Sequence, residues 1–224
     1  RITRMDLDST RTKEAYKQII NDFENQRIDI LVGTQIISKG LDFNNVSLVG
    51  VLDADSLLHY PDFRSYERAY QLLTQVSGRS GRRNQKGRVI IQTFEPRHRV
   101  LTYVKDRNYE QMYKDLLIER HLMNFPPFCR MIKITIQGKN RGVVLEKSQD
   151  YAKRLQKVFG FRLLGPQEPT IARLKNLYNQ VIWLKIEKKL SYSIVKTKIR
   201  ETNEEFLAEK DNKNLRINID VEKK

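Results

Sequence analysis

Two consecutive prolines, Pro126 and Pro127, do most to limit what this 224-residue chain can fold into. No helix runs through such a pair, because neither ring offers a backbone N–H and each clashes with the preceding turn. They also separate two different apolar patterns. Before them, residues 28–32 (IDILV), 46–52 (VSLVGVL) and 88–94 (RVIIQTF) form almost unbroken apolar runs. Runs of this kind suit strands buried on both faces of a parallel sheet that is covered by helices. After them, Ile132, Ile134 and Ile136 alternate with Lys133, Thr135 and Gln137, the period of a half-buried strand. The segment 124–128 is therefore the expected boundary between two domains, 1–122 and 123–224.

In the first domain, residues 10–27 place Ala15, Ile19, Ile20 and Phe23 at helical spacing, and residues 63–76 bring Tyr66, Tyr70 and Leu73 into one stripe. Residues 98–121 also read as helical. The order helix, strand, strand, helix, strand fits an α/β layer. In the second domain a helix over 141–159 turns Val144, Tyr151, Leu155 and Val158 inward, with Lys147, Lys153, Arg154 and Lys157 mostly outward. Residues 181–186 (VIWLKI) form a strand, and 192–210 place Val195, Ile199, Thr202 and Phe206 four, three and four apart. Residues 215–221 alternate strictly, and 161–164 offer a further short strand. This order predicts a small α+β sandwich of ferredoxin-like type.

The charge is uneven. Residues 121–224 hold 22 of the 42 Lys and Arg against 11 of the 27 Asp and Glu, leaving 20 against 16 for residues 1–120. The net charge of +15 favours polyanionic partners, nucleic acid or a ribosome-associated RNA, without choosing a binding mode. One cysteine, Cys129, excludes an internal disulfide, and three scattered histidines give no metal-ligand spacing, so no metal site is predicted. No apolar run is long enough to cross a bilayer, the N-terminus has no signal-like core, and there is no initiator Met. The expectation is a fragment or processed segment of a cytoplasmic protein without membrane contact.

Two loops follow apolar strands, where α/β layers bind ligands. Residues 33–43, GTQIISKGLDF, offer Thr34, Gln35, Lys39, Gly40 and Asp42 to a phosphate, a nucleic-acid backbone or a sugar hydroxyl. Residues 53–63, DADSLLHYPDF, carry Asp53 and Asp55, which fit either a metal or acid pair or simple capping of a turn. Residues 75–83, QVSGRSGRR, set Arg79 and Arg82 three apart between Gly78 and Gly81. On a helix the two guanidinium groups share one face and match a phosphate chain; the alternative is a basic, glycine-capped helix end.

GTQIISKGLDF, followed about thirty residues on by QVSGRSGRR, resembles motifs V and VI of superfamily 2 helicases. The intervening VGVLDADSLLHYPDFRSYERAYQLLTQVSGRSGR is similar to the primosomal, replication-restart branch of that superfamily, and the likeness continues through the second domain. The resemblance implies a RecA-like helicase lobe 2 in the first domain. It further implies that Arg79 and Arg82 are arginine fingers, that Gln75 and Asp42 lie near the nucleotide, and that Gly33, Thr34, Gln35 and Lys39 touch the tracked DNA strand. In the second domain GPQEPTIARLKNLYNQVIWLKI resembles a segment in which a basic turn helps hold branched DNA. Arg173 and Lys175 are the candidates there, with Tyr178 stacking on a base; Leu177 and Asn179 stand where the family often has arginine.

The same resemblance implies an ATP-dependent 3′-to-5′ DNA helicase of bacterial replication restart, using ATP and Mg²⁺ and working with single-stranded DNA-binding protein and other primosome proteins. A motor also needs G-x-x-x-x-G-K-[ST] and a Walker B acid. The sequence has neither: GVVLEKS at 142–148 lacks the glycine before its lysine. The family's zinc insertion needs several cysteines. The chain thus reads as the last part of such a helicase, starting inside lobe 2 beyond that insertion and inactive as an ATPase alone. The alternative is a non-enzymatic nucleic-acid-binding protein that retains a helicase-like fold.

Overall fold

A computed structural model describes residues 1–6, 12–34, 46–78 and 87–221. It divides into two compact units, Arg1–Tyr113 and Lys114–Lys224. The division falls inside a helix, upstream of the proline pair.

The first unit is built on two parallel strand pairs. β1 (Ile2–Met5), which no sequence pattern announces, pairs with β2 (Ile30–Gly33), and β3 (Leu48–Val51) pairs with β4 (Arg88–Ile91). Helix α1 (Lys13–Glu24) starts where Thr12 Oγ1 accepts the Ala15 N–H at 3.1 Å, an N-cap that satisfies one orphan donor. Its Tyr16, Ile19, Ile20 and Phe23 pack with Leu31 and Val46 around fully buried Met5. The other strand pair is accompanied by α2 (Asp55–Leu58), α3 (Ser65–Ser77) and α4 (Arg99–Asp106). Leu58, Ala69, Tyr70, Leu73, Val100 and Val104 are buried.

One expectation fails here. The apolar runs are not covered on both faces: Ile30, Val32, Leu48 and Ile90 are about half exposed or more, while Leu31, Val49, Val51 and Ile91 alternate with them on the more covered side. A continuous apolar run specifies strand structure but not how many faces are covered.

The helical stretch before the prolines is two helices. Arg107 adopts φ 53, and Asn108 restarts the chain by accepting the Gln111 N–H on its side chain at 3.0 Å, which opens α5 (Tyr109–Leu122). Asn124 then stops α5. With φ 48 it holds the left-handed position of a Schellman ending, its N–H bonded to the His121 carbonyl and the Phe125 N–H bonded to the Arg120 carbonyl.

The second unit has the ferredoxin-like order. β5 (Cys129–Gly138), α6 (Arg141–Phe159), β6 (Leu163–Gln167), β7 (Arg173–Leu174), β8 (Leu177–Glu187), α7 (Tyr192–Ala208) and β9 (Arg216–Val221) follow in sequence. The antiparallel sheet runs β6-β8-β5-β9, with the short β7 also paired to β8. Alternation along β5 and β8 sends Ile132, Ile134, Ile136, Ile182, Leu184 and Ile186 to one face. There they meet Val144, Tyr151 and Leu155 of α6 and Val195, Ile199 and Phe206 of α7. Val158, expected inside, is 44% exposed, and Ser148 and Phe159 are buried instead. The true stripe, 144, 148, 151, 155, 159, follows the i, i+4, i+7 face that a polar residue at 148 disguises. Gly165 is required by geometry, since it takes φ 98 and a Cβ there would lie 2.7 Å from the Val181 carbonyl oxygen.

Candidate nucleic-acid interface

In the first unit the expected site residues are distributed along strand and helix ends. Gly33 closes β2 and Thr34 follows it, both exposed at the carboxyl end of the β1–β2 pair. Gln75 is exposed in the last turn of α3, and Gly78 caps that helix with its N–H on the Thr74 carbonyl at 3.0 Å. Gln35, Lys39, Asp42, Arg79 and Arg82 lie outside the described residues. The helical spacing expected for the two arginines therefore concerns a stretch beyond the described end of α3 at Ser77.

Asp53 and Asp55 are held as structural groups. Asp53, at φ 57, accepts the Ser56 N–H at 3.2 Å in the manner of a cap. Asp55 accepts the Phe94 N–H at 3.0 Å and the Thr93 hydroxyl at 2.8 Å, tying the end of β3 to the end of β4. The Phe94 N–H, then the Thr93 hydroxyl, pull its carboxyl below the ordinary range. The stability that Asp55 supplies is thus present above the unfolded-chain value of about 3.9 and disappears as pH falls through the lower folded value. Asp55→Asn is expected to flatten the acid limb of a thermal-unfolding profile; superimposable acid limbs for variant and parent would show the tie to be without effect.

In the second unit the basic turn is a tight hairpin. Lys175 and Asn176 are its two central residues, with φ 50 and φ 63, between Arg173–Leu174 and the start of β8. Both angles positive is the type I′ geometry, which suits Asn and which Lys adopts at a cost. Arg173 Nη2 donates to Asn176 Oδ1 at 3.3 Å, and its guanidinium carbon lies 5.3 Å from the centre of the Tyr178 ring. Tyr178 is half buried and packs against the core. Its ring is already engaged, so a nucleobase stacking there must displace Arg173 or share the ring with it.

Sheet register adds cations that sequence reasoning missed. Gly138 and Arg173 both pair with Tyr178, and Gln137 pairs with Arg216, so exposed Lys139 and Arg216 belong to the same end of the sheet as Arg173 and Lys175. Only the strand order reveals this, because the four residues come from three separate stretches. Arg141, nearby at the start of α6, is committed to Glu168 through contacts of 3.2 and 2.9 Å.

Cys129 is buried with its Sγ on the Asn124 carbonyl at 3.1 Å, and no group of three His, Cys, Asp or Glu among the described residues could hold an ion. No described helix is long and apolar enough to cross a membrane.

Parallel strand pairs with helices and a basic ferredoxin-like module follow one another in the chain, and each half matches a domain of helicase proteins. Residues 2–84 match the helicase conserved C-terminal domain, and residues 121–222 match the primosomal protein N C-terminal domain. The chain belongs to the PriA family of replication restart proteins. It is 39% identical to replication restart protein PriA of Bacillus subtilis over 99% of this chain and 27% of that protein. The corresponding protein of Synechocystis is 40% identical over 81% of this chain and 22% of its own length. That of Borreliella burgdorferi is 35% identical over 91% and 30%. The chain thus spans less than a third of the length of these relatives.

Proposed function

We propose that this chain is the C-terminal part of an ATP-dependent 3′-to-5′ DNA helicase that restarts bacterial replication in the cytoplasm. The observation that carries the reading is the presence, in one chain, of GTQIISKGLDF, QVSGRSGRR and a basic ferredoxin-like module matching the primosomal C-terminal domain. Its partners are forked or branched DNA, single-stranded DNA-binding protein and other primosome proteins.

In this reading Arg79 and Arg82 neutralise charge on a phosphoryl group held by the opposite motor lobe, a role that suits planar, permanently charged guanidinium groups. ATP with Mg²⁺ supplies the phosphoryl transfer that drives movement. Gln75 and Asp42 orient the nucleotide or couple the lobes, and Gly33, Thr34, Gln35 and Lys39 contact the tracked strand through backbone amides and side chains. Zinc is a feature of the family, and the described residues of this chain offer no donor set for it. Without G-x-x-x-x-G-K-[ST] the isolated chain turns over no ATP and acts as a nucleic-acid-binding unit.

Arg173 and Lys175 grip duplex or branched DNA by its phosphates. Changing both to alanine is expected to weaken binding of the chain to forked DNA and to lower the slope of log K against log salt by about two, one per lost phosphate contact. An unchanged slope and affinity would remove the hairpin from the interface.

A further inference from the structure

In the ferredoxin-like module α6 and α7 lie on one face of the sheet, and the alternate residues of β5 and β8 face the other side, where Met131 and Val181 are buried and Lys185 is held by the Met123 carbonyl at 2.8 Å and the Phe125 ring. The sequence of that face is unusual for a solvated sheet. Lys133 and Trp183 are directly opposed on the two central strands, with Lys133 Nζ 5.7 Å from the indole centre. Leu164 of β6 pairs with Trp183 on its other side and is 46% exposed. Trp183 and Lys133 are half buried, so this apolar, π-rich strip is open to solvent chiefly at Leu164.

Next to this strip an amide chain crosses three strands. Asn218 Nδ2 donates to Gln137 Oε1 at 2.8 Å, and Gln137 Nε2 donates to Asn179 Oδ1 at 2.6 Å. Arg216 lies beside it and leads to the cationic hairpin end. Acids are few on this face. Glu187 is held by Arg162 Nε at 2.7 Å, and Asp220 pairs across from Lys133.

We propose that the open part of this face, from Leu164 and Trp183 to Arg216, is a track for single-stranded DNA, with a base stacked on Trp183 in place of Lys133 and its phosphates met by Lys133 and Arg216. The inference rests on the reading of the second unit as a nucleic-acid-binding module, and extends it from the hairpin to the sheet. Aromatic surface, oriented amides and cations are the groups that recognise unstacked bases on a polyanionic backbone. Duplex DNA does not fit, since its bases have no face to offer an indole. Strands about 4.8 Å apart make the four-stranded face about 15 Å wide, enough for two or three nucleotides.

Trp183 is the only tryptophan in the chain, so its fluorescence reports on this face alone. Titrating the full chain with a short oligo(dT) is expected to quench it saturably, while a blunt DNA hairpin bound by the Arg173–Lys175 turn leaves it unchanged. Trp183→Ala is expected to weaken oligo(dT) binding roughly ten-fold, the order of one lost stacking contact, and Trp183→Phe to keep most of the affinity. Asp220→Asn is expected to tighten binding. Oligo(dT) that binds without changing the fluorescence would overturn the track and leave the hairpin reading standing; an equal quench by the blunt hairpin would overturn the single-strand assignment. Tighter binding of oligo(rU) would overturn the choice of DNA. Failure of every DNA to bind would sink both this inference and the module's assignment.

Discussion

With Arg82 in the proposed role of arginine finger, Arg82→Ala in the full-length protein is expected to lower ATP turnover by about three orders of magnitude or more, while DNA binding stays close to that of the parent. The expectation follows from the chemistry of the transferring phosphoryl group, which the protein stabilises by positioned charge rather than by bond formation. The described helix α3 ends at Ser77 with Gly78 as its cap and presents exposed Gln75 in its last turn. Arg82→Lys is expected to recover little, because a point charge on a flexible stem cannot reproduce the planar fork. Steady-state turnover with and without DNA is the measurement. Near-normal turnover in the alanine variant would end the assignment.

Phe206→Ala is expected to destabilise the second unit by about 3–5 kcal/mol, a large share of the about 5–15 kcal/mol that holds a typical domain together. Phe206 is fully buried and joins three elements. Its ring meets Tyr151 of α6 edge to face at 4.9 Å, with the Arg154 guanidinium 5.2 Å from its centre. Its carbonyl accepts the side-chain N–H of buried Asn212, in the turn after α7, at 2.9 Å. Truncation leaves a cavity bordered by a buried phenol, while the Asn212 bond to the backbone carbonyl remains. Chemical denaturation of the chain, followed by a probe in the second unit, reads the effect; a loss below about 1 kcal/mol would mean that the core collapses around the missing ring. The hairpin and the Trp183 face lie on other parts of the same sheet, so DNA affinity should fall only as the folded fraction falls.

The second unit was largely legible in the sequence because its periods are clean. Ile132, Ile134 and Ile136 alternate, and Val195, Ile199, Thr202 and Phe206 repeat at helical spacing; all seven are buried. Its two short strands carry no such period. β7, two residues long, was missed, and β6 runs over 163–167 rather than the expected 161–164 because it bends around Gly165. The first unit was less legible. Its apolar runs marked β2, β3 and β4 but overstated their burial, and β1 has too few residues to carry a pattern. The break at Arg107 and Asn108 is written in hydrogen bonds to a side chain, which hydrophobic spacing does not register. At the candidate interface, the hairpin residues could be named from sequence, but the companionship of Lys139, Arg216 and Trp183 depends on strand order. That order is set by contacts between residues some forty to ninety positions apart.

β5 is the central strand that everything else in its sheet waits for. Its two neighbours, β8 and β9, come from much later in the chain, so on the ribosome it is made long before either partner exists. Until then its apolar side and both backbone edges are open to other chains, the condition in which nascent β proteins aggregate or exchange strands. Such distant pairing also places folding of this module toward the slow end for its size. Arg130 and Lys133, interleaved among the apolar residues of β5, put charge on that strand, the kind of residue that discourages edge-to-edge pairing.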